Sequence, residues 1–309
     1  MTHRKAEVVV LASWNADLIC RIPRPLQRGE TLMGRDFRIA PGGKGSNAAV
    51  ACARQGAATA VIARVGDDNF GRMGLDLWQR EGIDTASVAV AAGEASGVAQ
   101  ILVYDDGDNS IAVASGANAG LDVVQVQAAS ARLRSAKVLL ANGETPLEAT
   151  LEAFRIARAA GVFTLFNPAP ARELPPELLA LTDLLTPNES ELRSLAGAAK
   201  DLSLERAAES LLHRHGLKQL VVTRGAAGCS LFRPGLPAWH CSAHAMPTLV
   251  DSIGAGDCFN GALAAALARG EALETALRWA NAAAAWSVTG AGALGGLPDR
   301  AAVGALLGN

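Results

Sequence analysis

The sequence predicts an α/β fold, a three-layer sandwich in which helices cover both faces of a mostly parallel central sheet, with a small β-sheet lid. From residue 121 onward, short apolar runs alternate with helical patterns, as in strand–helix–strand units. Alanine and glycine are plentiful and aromatic residues make up only 4 %, which suits helices packed closely on a sheet. With 309 residues, the chain can bury a large core. We expect one domain, 1–309, with a lid formed by about 15–40 and 96–115.

The first third of the chain supplies the predicted lid as well as the first strands of the sheet. Glycine and proline interrupt short β-like pieces between residues 18 and 40, so this segment does not read as a helical layer. The apolar runs 97–103 and 110–114 flank the turn-forming sequence Asp-Asp-Gly-Asp-Asn and predict a hairpin that pairs with it. The other elements predicted before residue 121 are a strand at 7–12, a helix at 48–55, a strand at 60–65 and a helix at 70–81.

Polar residues follow the ends of several predicted strands. The later predicted elements are strands at 138–141, 163–166, 184–186 and 220–223 and helices at 147–160, 262–268 and 276–288. Ligands of open parallel sheets bind beyond the carboxyl ends of the strands. The candidates at such ends are Asn15, Glu144, Asn188 and Gly225. If the chain stays extended after the first strand, Asn15 and Asp17 share one face and Trp14 and Ala16 share the other.

Residues 250–261 combine two carboxylates with two glycines just before an Ala/Leu-rich helix. Gly254 and Gly256 leave backbone N–H groups uncovered, and at a helix N-terminus such groups form an anion site together with the helix dipole. Asp257 lies at or just inside that N-terminus. A carboxylate there would repel an anion, unless it accepts a proton from a hydroxyl that attacks a bound phosphate. The alternative is that Asp257 is only an N-cap.

Two further glycine clusters resemble nucleotide-binding loops without having their spacing. At 41–47, Gly45 follows Lys44 and Arg38 stands where a Walker A loop has its first glycine. We predict instead a close backbone approach to a polyol at Gly43, with Lys44 and Asn47 bonding its hydroxyls. The sequence GAGALG at 290–295 follows a predicted helix rather than a strand, which argues against a nicotinamide dehydrogenase.

Charge and cysteine usage argue against several other classes of function. A net charge of −2 gives no sign of a surface for nucleic acid or membrane. The five cysteines include no C-x-x-C pair, which argues against a zinc site or a disulfide framework and is typical of a reducing cytosol. No uninterrupted apolar run reaches the ~18 residues of a membrane span, and no signal peptide is recognisable. We therefore expect a cytoplasmic protein.

Two segments together resemble one protein family. Asp251 to Gly261 matches the pattern D-T-x-G/A-A-G-D-x-F-x-G of the ribokinase family of carbohydrate kinases, also called the phosphofructokinase-B family, except that Ser252 replaces Thr. Residues 42–71 match the N-terminal signature of that family nearly throughout, and the two signatures occur in the right order. The resemblance covers essentially the whole chain, and 167–189 is closest to the family members that phosphorylate ribose.

This resemblance implies a nine-stranded core with a β lid, and transfer of phosphate from ATP to a sugar hydroxyl with Mg²⁺ and an activating monovalent cation, K⁺. The implied sugar-binding residues are Asn15, Asp17, Gly43, Lys44, Gly45, Asn47 and Glu144, with Asp257 as the base. The implied anion hole is formed by Gly254, Ala255 and Gly256 with Asp257. The implied nucleotide contacts are Asn188, Thr223, Arg224, Gly225, Ala226, Ala227, Gly228, Gly256 and Asn281. The implied K⁺ ligands are Asp251, Ile253, Ser287, Gly290, Gly292 and Gly296.

The expected acceptor is D-ribose, phosphorylated at its terminal hydroxyl. The implied sugar-binding side chains are polar, whereas a nucleoside would call for an aromatic face to stack its base. Other acceptors (a nucleoside, deoxyribose or fructose) and a sugar-binding regulator without turnover remain alternatives. We expect a homodimer formed through the lid sheets. Trp14, where the family mostly has a small aliphatic residue, either packs internally or contributes to that lid-to-lid contact.

Overall fold

A nine-stranded sheet forms the middle layer of the computed structural model, which describes residues 5–197 and 202–308. The strands of the described chain are β1 (Val8–Leu11), β2 (Asn15–Arg21), β3 (Arg35–Gly42), β4 (Thr59–Gly66), β5 (Asp84–Ala91), β6 (Gly97–Val103), β7 (Asn109–Ala114), β8 (Val138–Asn142), β9 (Phe163–Asn167), β10 (Leu184–Leu185), β11 (Leu220–Thr223), β12 (Cys229–Phe232) and β13 (Trp239–Cys241). Across the main sheet the order is β13-β12-β11-β10-β9-β8-β1-β4-β5. All neighbours from β5 to β11 are parallel, and β12 runs antiparallel to both of its neighbours.

Helices cover both faces of this sheet, as the sequence predicts. They are α1 (Lys44–Arg54), α2 (Asn69–Arg80), α3 (Val123–Ala128), α4 (Ser130–Ser135), α5 (Leu147–Ala159), α6 (Pro176–Ala180), α7 (Glu189–Ala196), α8 (Leu204–His215), α9 (Ala255–Ala268), α10 (Leu273–Ser287), α11 (Gly292–Gly295) and α12 (Arg300–Leu307). Helices α1, α2, α9, α10 and α12 enclose one core, and α3 to α8 enclose the other. Strand β1 serves both, because Val8 and Val10 face the first core while Val9 and Leu11 face the second.

A separate four-stranded sheet has the order β3-β2-β6-β7. Its central pair, β2 and β6, is parallel, and both outer pairs are antiparallel. Strand β2 begins at Asn15, only a few residues after β1 ends, so the small sheet rises from the carboxyl edge of the main one. The predicted pairing of the 97–114 hairpin with the segment before residue 40 is thereby confirmed.

The starts of three helices differ from those predicted, and several elements were missed. Helix α1 begins at Lys44 and α9 at Ala255, so both glycine clusters lie at helix N-termini, and α10 begins at Leu273. No range was predicted for α3, α4, α6, α7, α8, α11 or α12. The strands β5, β12 and β13 were not predicted: β5 and β13 are the edge strands of the main sheet and contain few buried residues, whereas β12 is buried but only four residues long. In the described part of the chain, no helix is both long and apolar enough to cross a membrane.

Trp14 is fully buried and belongs to the first core. Its ring meets that of Trp78 edge to face with centroids 5.8 Å apart, and its Nε1 donates to the carbonyl oxygen of Phe70 at 2.9 Å. A Cβ at Gly74 of α2 would lie 2.8 Å from the Trp14 ring, so α2 packs directly on it. Of the two alternatives for Trp14, internal packing is therefore the one that holds, and the lid-to-lid contact is wrong.

Candidate active site

The N-terminus of α1 lies against the link between β1 and β2, and a carboxylate fastens the two together. A Cβ at Gly45 would be 2.5 Å from the Cα of Ala12, so only glycine allows this approach. The Oε2 atom of Glu144 accepts the Lys44 N–H at 2.9 Å and the Ser13 hydroxyl at 2.6 Å. Glu144 is thus held at the positive end of α1, as the dipole of that helix favours.

Glu144 and Gly43 are each placed by the element that precedes them. The N–H of Glu144 donates at 2.9 Å to the Oδ1 atom of Asn142, the last residue of β8. Gly43 is the residue before α1 and has φ of +89°, a conformation that favours glycine. The carboxyl end of β8 and the glycine cluster of α1 therefore meet at one point.

Asn15 and Asp17 follow each other on the same face at the start of β2. Asn15 is buried, and its Oδ1 accepts a hydrogen bond from Asn118 at 3.1 Å. The carboxylate of Asp17 lies beside Gly42, where an added Cβ would be 2.0 Å from its Oδ1. Burial, and then the carboxylates of Glu144 and Asp257, raise the pKa of Asp17 to about 6.

Helices α1 and α9 pack closely enough for Asn47 to reach Asp257. A Cβ at Gly261 would lie 2.4 Å from the carbonyl oxygen of Ala48, so the two backbones are nearly in contact there. The Nδ2 of Asn47 donates to the Oδ2 of Asp257 at 2.8 Å. The Oδ1 of Asn47 is buried without a hydrogen-bond partner, which leaves it available to a hydroxyl donor.

Asp257 does not cap α9. The residue before the helix is Gly254, with φ of +78°, and no side chain caps this N-terminus. The Ala255 N–H donates to the carbonyl oxygen of Ser252 and the Cys258 N–H to that of Gly254, whereas the hydrogen bonds of the described chain leave the N–H groups of Gly256 and Asp257 free. A helix N-terminus with open N–H groups is an anion site. The N-cap alternative for Asp257 is therefore wrong.

Charge is concentrated around Asp257. Burial raises its pKa to about 6, against the opposing effects of Lys44 and of the Asn47 hydrogen bond, while Glu144 and Glu191 add to the rise. Asp257, more than any other group, raises the pKa of Lys44. One partly buried ammonium group thus lies among several carboxylates, and the pKa values of two of these, Asp257 and Asp17, are raised to about 6. Perturbed carboxyl groups of this kind are typical of functional sites.

A cavity of about 550 Å³ opens on the other side of the α9 N-terminus. Phe259, Ala284, Ala285 and Val288 give it an apolar wall, which suits a flat aromatic base. The predicted nucleotide and anion-hole residues that line it are Thr223, Gly225, Ala226, Gly228, Ala255, Gly256 and Asn281. Gly256 borders this cavity, whereas Asp257 bonds Asn47 of α1. Residues 254–257, which we call the anion loop, therefore lie between the cavity and a group of polar side chains around the start of α1. We call this group the polar pocket of α1; its members are Asn15, Asp17, Lys44, Asn47, Glu144 and Asp257.

Four predicted nucleotide contacts, Asn188, Arg224, Ala227 and Asn281, have side chains or backbone engaged within the protein. The Asn188 side chain caps α7 through the Glu191 N–H at 2.8 Å, and residue 188 forms a parallel bridge with Thr223. The Nε of Arg224 donates to the Oε1 of Glu189 at 2.9 Å. The backbone at Ala227 belongs to the short 3₁₀ turn Gly225–Ala227. The Nδ2 of Asn281 donates to the carbonyl oxygen of Ser242 at 2.7 Å, holding the chain that follows β13.

The residues of the implied K⁺ site lie close together, joined by the carboxylate of Asp251. Its Oδ1 accepts the Ile253 N–H and its Oδ2 the Gly292 N–H, both at 2.9 Å. An added Cβ at Gly296 would lie 1.9 Å from the carbonyl oxygen of Ser287 and 2.9 Å from the nitrogen of Gly290. Glycine at 296 is therefore required by this backbone, where the family often has Ser.

Sequence reasoning missed three residues that shape the site. Ser13 follows a buried strand, so the rule that found Asn15 could have found it. Glu191 is the fourth residue of a capping box that begins at Asn188, a pattern visible in the sequence. For Asn118, whose Nδ2 bonds Asn15, no local pattern points to the site.

Comparison with known proteins agrees with this geometry. Residues 5–300 match the model of the pfkB family carbohydrate kinases. A ribokinase of Haemophilus influenzae is 39 % identical over 299 residues, which cover 95 % of either chain. A deoxyribokinase of Salmonella typhi is 33 % identical over 300 residues, with 95 % of this chain and 96 % of the relative covered. The structure of Arabidopsis thaliana ribokinase complexed with ribose and ATP superimposes with a TM-score of 0.92 at 31 % identity, over 98 % of this chain and 99 % of that one.

The fold and the site together define a carbohydrate kinase, with a polar pocket and a nucleotide-sized cavity on the two sides of a helix N-terminus. The chain belongs to the pfkB family of carbohydrate kinases. The resemblance inferred from residues 42–71 and 251–261 is thus confirmed.

Proposed function

We propose that this protein is an ATP-dependent ribokinase, which converts D-ribose and ATP to D-ribose 5-phosphate and ADP. The observation that carries the proposal is the carboxylate of Asp257. It is buried at an uncapped helix N-terminus, between the cavity suited to a nucleotide and the polar pocket of α1. The ribokinases and the ribose complex among the relatives support the choice of acceptor.

In this mechanism Asp257 accepts the proton of the terminal hydroxyl of ribose. The hydroxyl oxygen forms a bond to the γ-phosphorus of ATP as the bond to the bridging oxygen of ADP breaks. The free N–H groups of Gly256 and Asp257 stabilise the charge on the transferring phosphoryl group. A carboxylate whose pKa is about 6 is well matched to this proton transfer, because it is ionised at neutral pH yet basic enough to take the proton.

Ribose would be held by the polar side chains around α1. Asp17 and Glu144 supply carboxylate acceptors, Asn47 supplies its unpaired Oδ1, and Lys44 supplies donors. The small sheet that begins at Asn15 would act as the lid that excludes water, which otherwise competes as the phosphate acceptor. We propose this lid as part of a single domain that spans residues 1–309.

Mg²⁺ and K⁺ are further parts of this proposal. Mg²⁺ is usually held by substrate phosphates with one or two carboxylates, and the partly buried Glu191 is a carboxylate close enough to influence Lys44 and Asp257. Backbone carbonyl oxygens suit K⁺, and Asp251 brings the segments at 251–253 and 287–296 together. K⁺ would fix the shape of the anion loop without contacting substrate. Rates several-fold higher in potassium than in sodium or tetramethylammonium buffer are expected, and equal rates would contradict the K⁺ site.

Other acceptors are the main competing function. A nucleoside needs an aromatic face for its base, and Trp14, the aromatic residue next to Asn15 in the sequence, is buried beneath α2 and cannot supply one. Deoxyribose is the stronger competitor, since a deoxyribokinase is among the relatives. A sugar-binding regulator without turnover would have no need of a base at the anion loop.

The test is a comparison of kcat/KM for ribose, 2-deoxyribose, fructose, adenosine and cytidine with ATP. A site that hydrogen-bonds each hydroxyl rejects an analogue that lacks one, so ribose should exceed 2-deoxyribose by about tenfold or more. A higher value for deoxyribose, or for a nucleoside, would overturn the choice of acceptor. Binding of ribose without any phosphorylation would favour the regulator. The protein is proposed to act as a cytoplasmic enzyme, which the five free cysteines support.

A further inference from the structure

The buried side chain of Asn118 bonds the side-chain amide of Asn15 and fixes its orientation. Asn118 lies in the 3₁₀ turn Gly116–Gly120 that follows β7, and only 4 % of its surface is exposed. Its Oδ1 accepts the N–H of Trp14 at 2.8 Å. Its Nδ2 donates to the carbonyl oxygens of Trp14 at 2.7 Å and Ser115 at 3.0 Å, and to the Oδ1 of Asn15 at 3.1 Å.

These bonds determine which end of each amide faces the other. The N–H of Trp14 can only donate, so the atom of Asn118 that meets it must be the oxygen. The carbonyl oxygens of Trp14 and Ser115 can only accept, so they require the NH₂ group of Asn118 on the other side. The two hydrogens of that NH₂ group are shared among three acceptors, and an Asn15 amide turned the other way would set its own NH₂ group against them, so the oxygen of Asn15 is the end that meets Asn118. The Nδ2 of Asn15 is therefore the end left to face a sugar.

The strand next to Asn15 leaves room for this amide pair. Gly97 of β6 is the register partner of Asn15. A Cβ at Gly97 would lie 2.2 Å from the Oδ1 of Asn15 and 2.3 Å from the Nδ2 of Asn118. Any larger residue would push the two amides apart, so the contact between them depends on glycine at this position of β6.

Donors are fewer than acceptors among the side chains assigned to the sugar. Asp17 and Glu144 are acceptors when ionised, the Oδ1 of Asn47 is an unbonded acceptor, and one of the two hydrogens on the Nδ2 of Asn47 is already given to Asp257. Lys44 and the second hydrogen of that Nδ2 are the other side-chain donors. A sugar hydroxyl both donates and accepts, so its direction is fixed only where a donor and an acceptor face it together.

We propose that Asn118 is a positioning residue for sugar recognition, which holds Asn15 so that its Nδ2 donates to a hydroxyl oxygen of the acceptor sugar. This inference rests on the proposed sugar-kinase function of the same pocket. Asn118 makes no contact with the nucleotide cavity or the anion loop, so its effect should be confined to the sugar.

The first experiment compares Asn118→Asp with Gln55→Glu. Both substitutions replace a buried amide by a carboxyl group of the same shape, and Gln55 bonds Trp279 and Pro298 at the far end of α1, about 15 Å from Lys44. Asn118→Asp should raise the KM and the calorimetric Kd for ribose by about tenfold or more, with the KM for ATP changed by less than about twofold. Gln55→Glu should lower the Tm and leave the KM for ribose unchanged.

The second experiment tests whether Asn118 acts through Asn15. In an Asn15→Ala background, Asn118→Asp should change the Kd for ribose by less than about twofold, because the group it positions is gone. A full effect in that background, or an unchanged Kd for ribose in the single variant, would overturn the proposal. If Asn118→Asp does not fold, the same measurements are made on Asn118→Ala and Gly97→Ala, which should also raise the Kd for ribose and leave the KM for ATP nearly unchanged. A wild-type protein that does not phosphorylate ribose would instead overturn the proposed function, which separates the two failures.

Discussion

Asp257 is a carboxylate that the fold buries at the positive end of α9 without using it as a cap. Its carboxylate accepts a hydrogen bond from Asn47, one of the polar side chains of α1 to which we assign the sugar. Elsewhere in the chain, acidic residues do cap helices, as Asp299 does for α12 by accepting the Ala302 N–H at 2.8 Å. The two positions therefore offer a direct comparison between a carboxylate that caps a helix and one for which we propose a chemical role.

Asp257→Asn should lower kcat by about 10²–10⁴-fold, because a positioned general base supplies a factor of this size. The Kd values for ribose and ATP should stay within about threefold of wild type. Asp299→Asn is the matched control and should leave kcat unchanged. Steady-state kinetics and calorimetry on both variants check this, and a kcat for Asp257→Asn within about tenfold of wild type would mean that the carboxylate is not the base.

The pH dependence of kcat/KM should follow the protonation of two carboxyl groups whose pKa values are raised. Burial first of all raises the pKa of both Asp257 and Asp17 to about 6, and both are expected to act as carboxylates. Activity should therefore be constant above pH 7 and fall as pH decreases through 6, more steeply than a single protonation allows. In Asp17→Asn the fall should have the slope of one proton. A rate that stays constant down to pH 5 would contradict an ionised base.

Asp257 should also reduce the stability of the protein at neutral pH. Its pKa rises from 3.8 in the unfolded chain to about 6 in the fold, so folding favours the neutral form. The cost of ionisation is absent below pH 4 and fully present above pH 6, where it is on the order of 3 kcal/mol. Asp257→Asn should therefore increase the free energy of unfolding at pH 8 and change it little at pH 4. Urea unfolding at the two pH values measures this, and a gain that is the same at both would be inconsistent with it.

At the scale of elements, the site is the place where two helix N-termini converge. Helix α1 brings Lys44 and Asn47, and α9 brings the anion loop and Asp257. The alanine-rich contact around Gly261 lets them approach so closely that the amide of Asn47 meets the carboxylate of Asp257. The two glycine clusters therefore act as one unit, although about 210 residues separate them in sequence.

Gly254 and Gly256 of the α9 loop should respond differently to alanine. Gly254 has a positive φ, and an added Cβ would be 2.9 Å from the Cα of Ala293, so Gly254→Ala should lower both the Tm and kcat. Gly256→Ala meets no atom within 4 Å and should leave the Tm within about 2 °C of wild type. Its methyl group would nevertheless crowd the phosphates, so its KM for ATP should rise. Calorimetric melting with ATP titrations distinguishes the two, and equal effects on the Tm would refute this account.

At the scale of the whole molecule, the small sheet exposes apolar residues on both of its edge strands. Phe37 and Ile39 of β3 and Ile111 and Val113 of β7 are all exposed. The strand register places the β3 pair and the β7 pair on opposite faces of the sheet. Exposed apolar residues often mark an interaction surface. We propose that a second copy of the chain covers the face of Phe37 and Ile39, which is the homodimer expected through the lid sheets.

Phe37→Asp should therefore shift the protein from dimer to monomer, because a charge within an apolar contact loses its hydration. The mass measured by sedimentation should fall from about twice 31.7 kDa to about that value. Val124→Asp on α3, where the side chain is also exposed, is the control and should leave the mass unchanged. A wild-type protein that is monomeric at micromolar concentration would remove the basis for this interface.

The sequence by itself determined the fold class, the central strands and both helix N-termini of the site. Short apolar runs such as Val8–Leu11 are typical of strands buried on both faces, and the glycine clusters before α1 and α9 mark places where the backbone stays open. Each of these signals consists of a few consecutive residues, so it can be recognised from the sequence alone. The edge strands β5 and β13 were not predicted because they contain few buried residues, and β12 was not predicted because it is a four-residue run that includes a serine, Ser230.

Only the tertiary structure decided between roles that one residue type can fill. Asp257 could have been an N-cap until the structure showed that Gly254 precedes α9 and that the carboxylate of Asp257 is bonded to Asn47 of α1. Trp14 could have been part of a dimer contact until α2 was seen to cover it. Asn118 gave no local signal, because its significance lies in contacts with Trp14 and Asn15 about a hundred residues away. Burial, charge and hydrogen-bond partners arise from such long-range contacts, and they decide what a side chain can do.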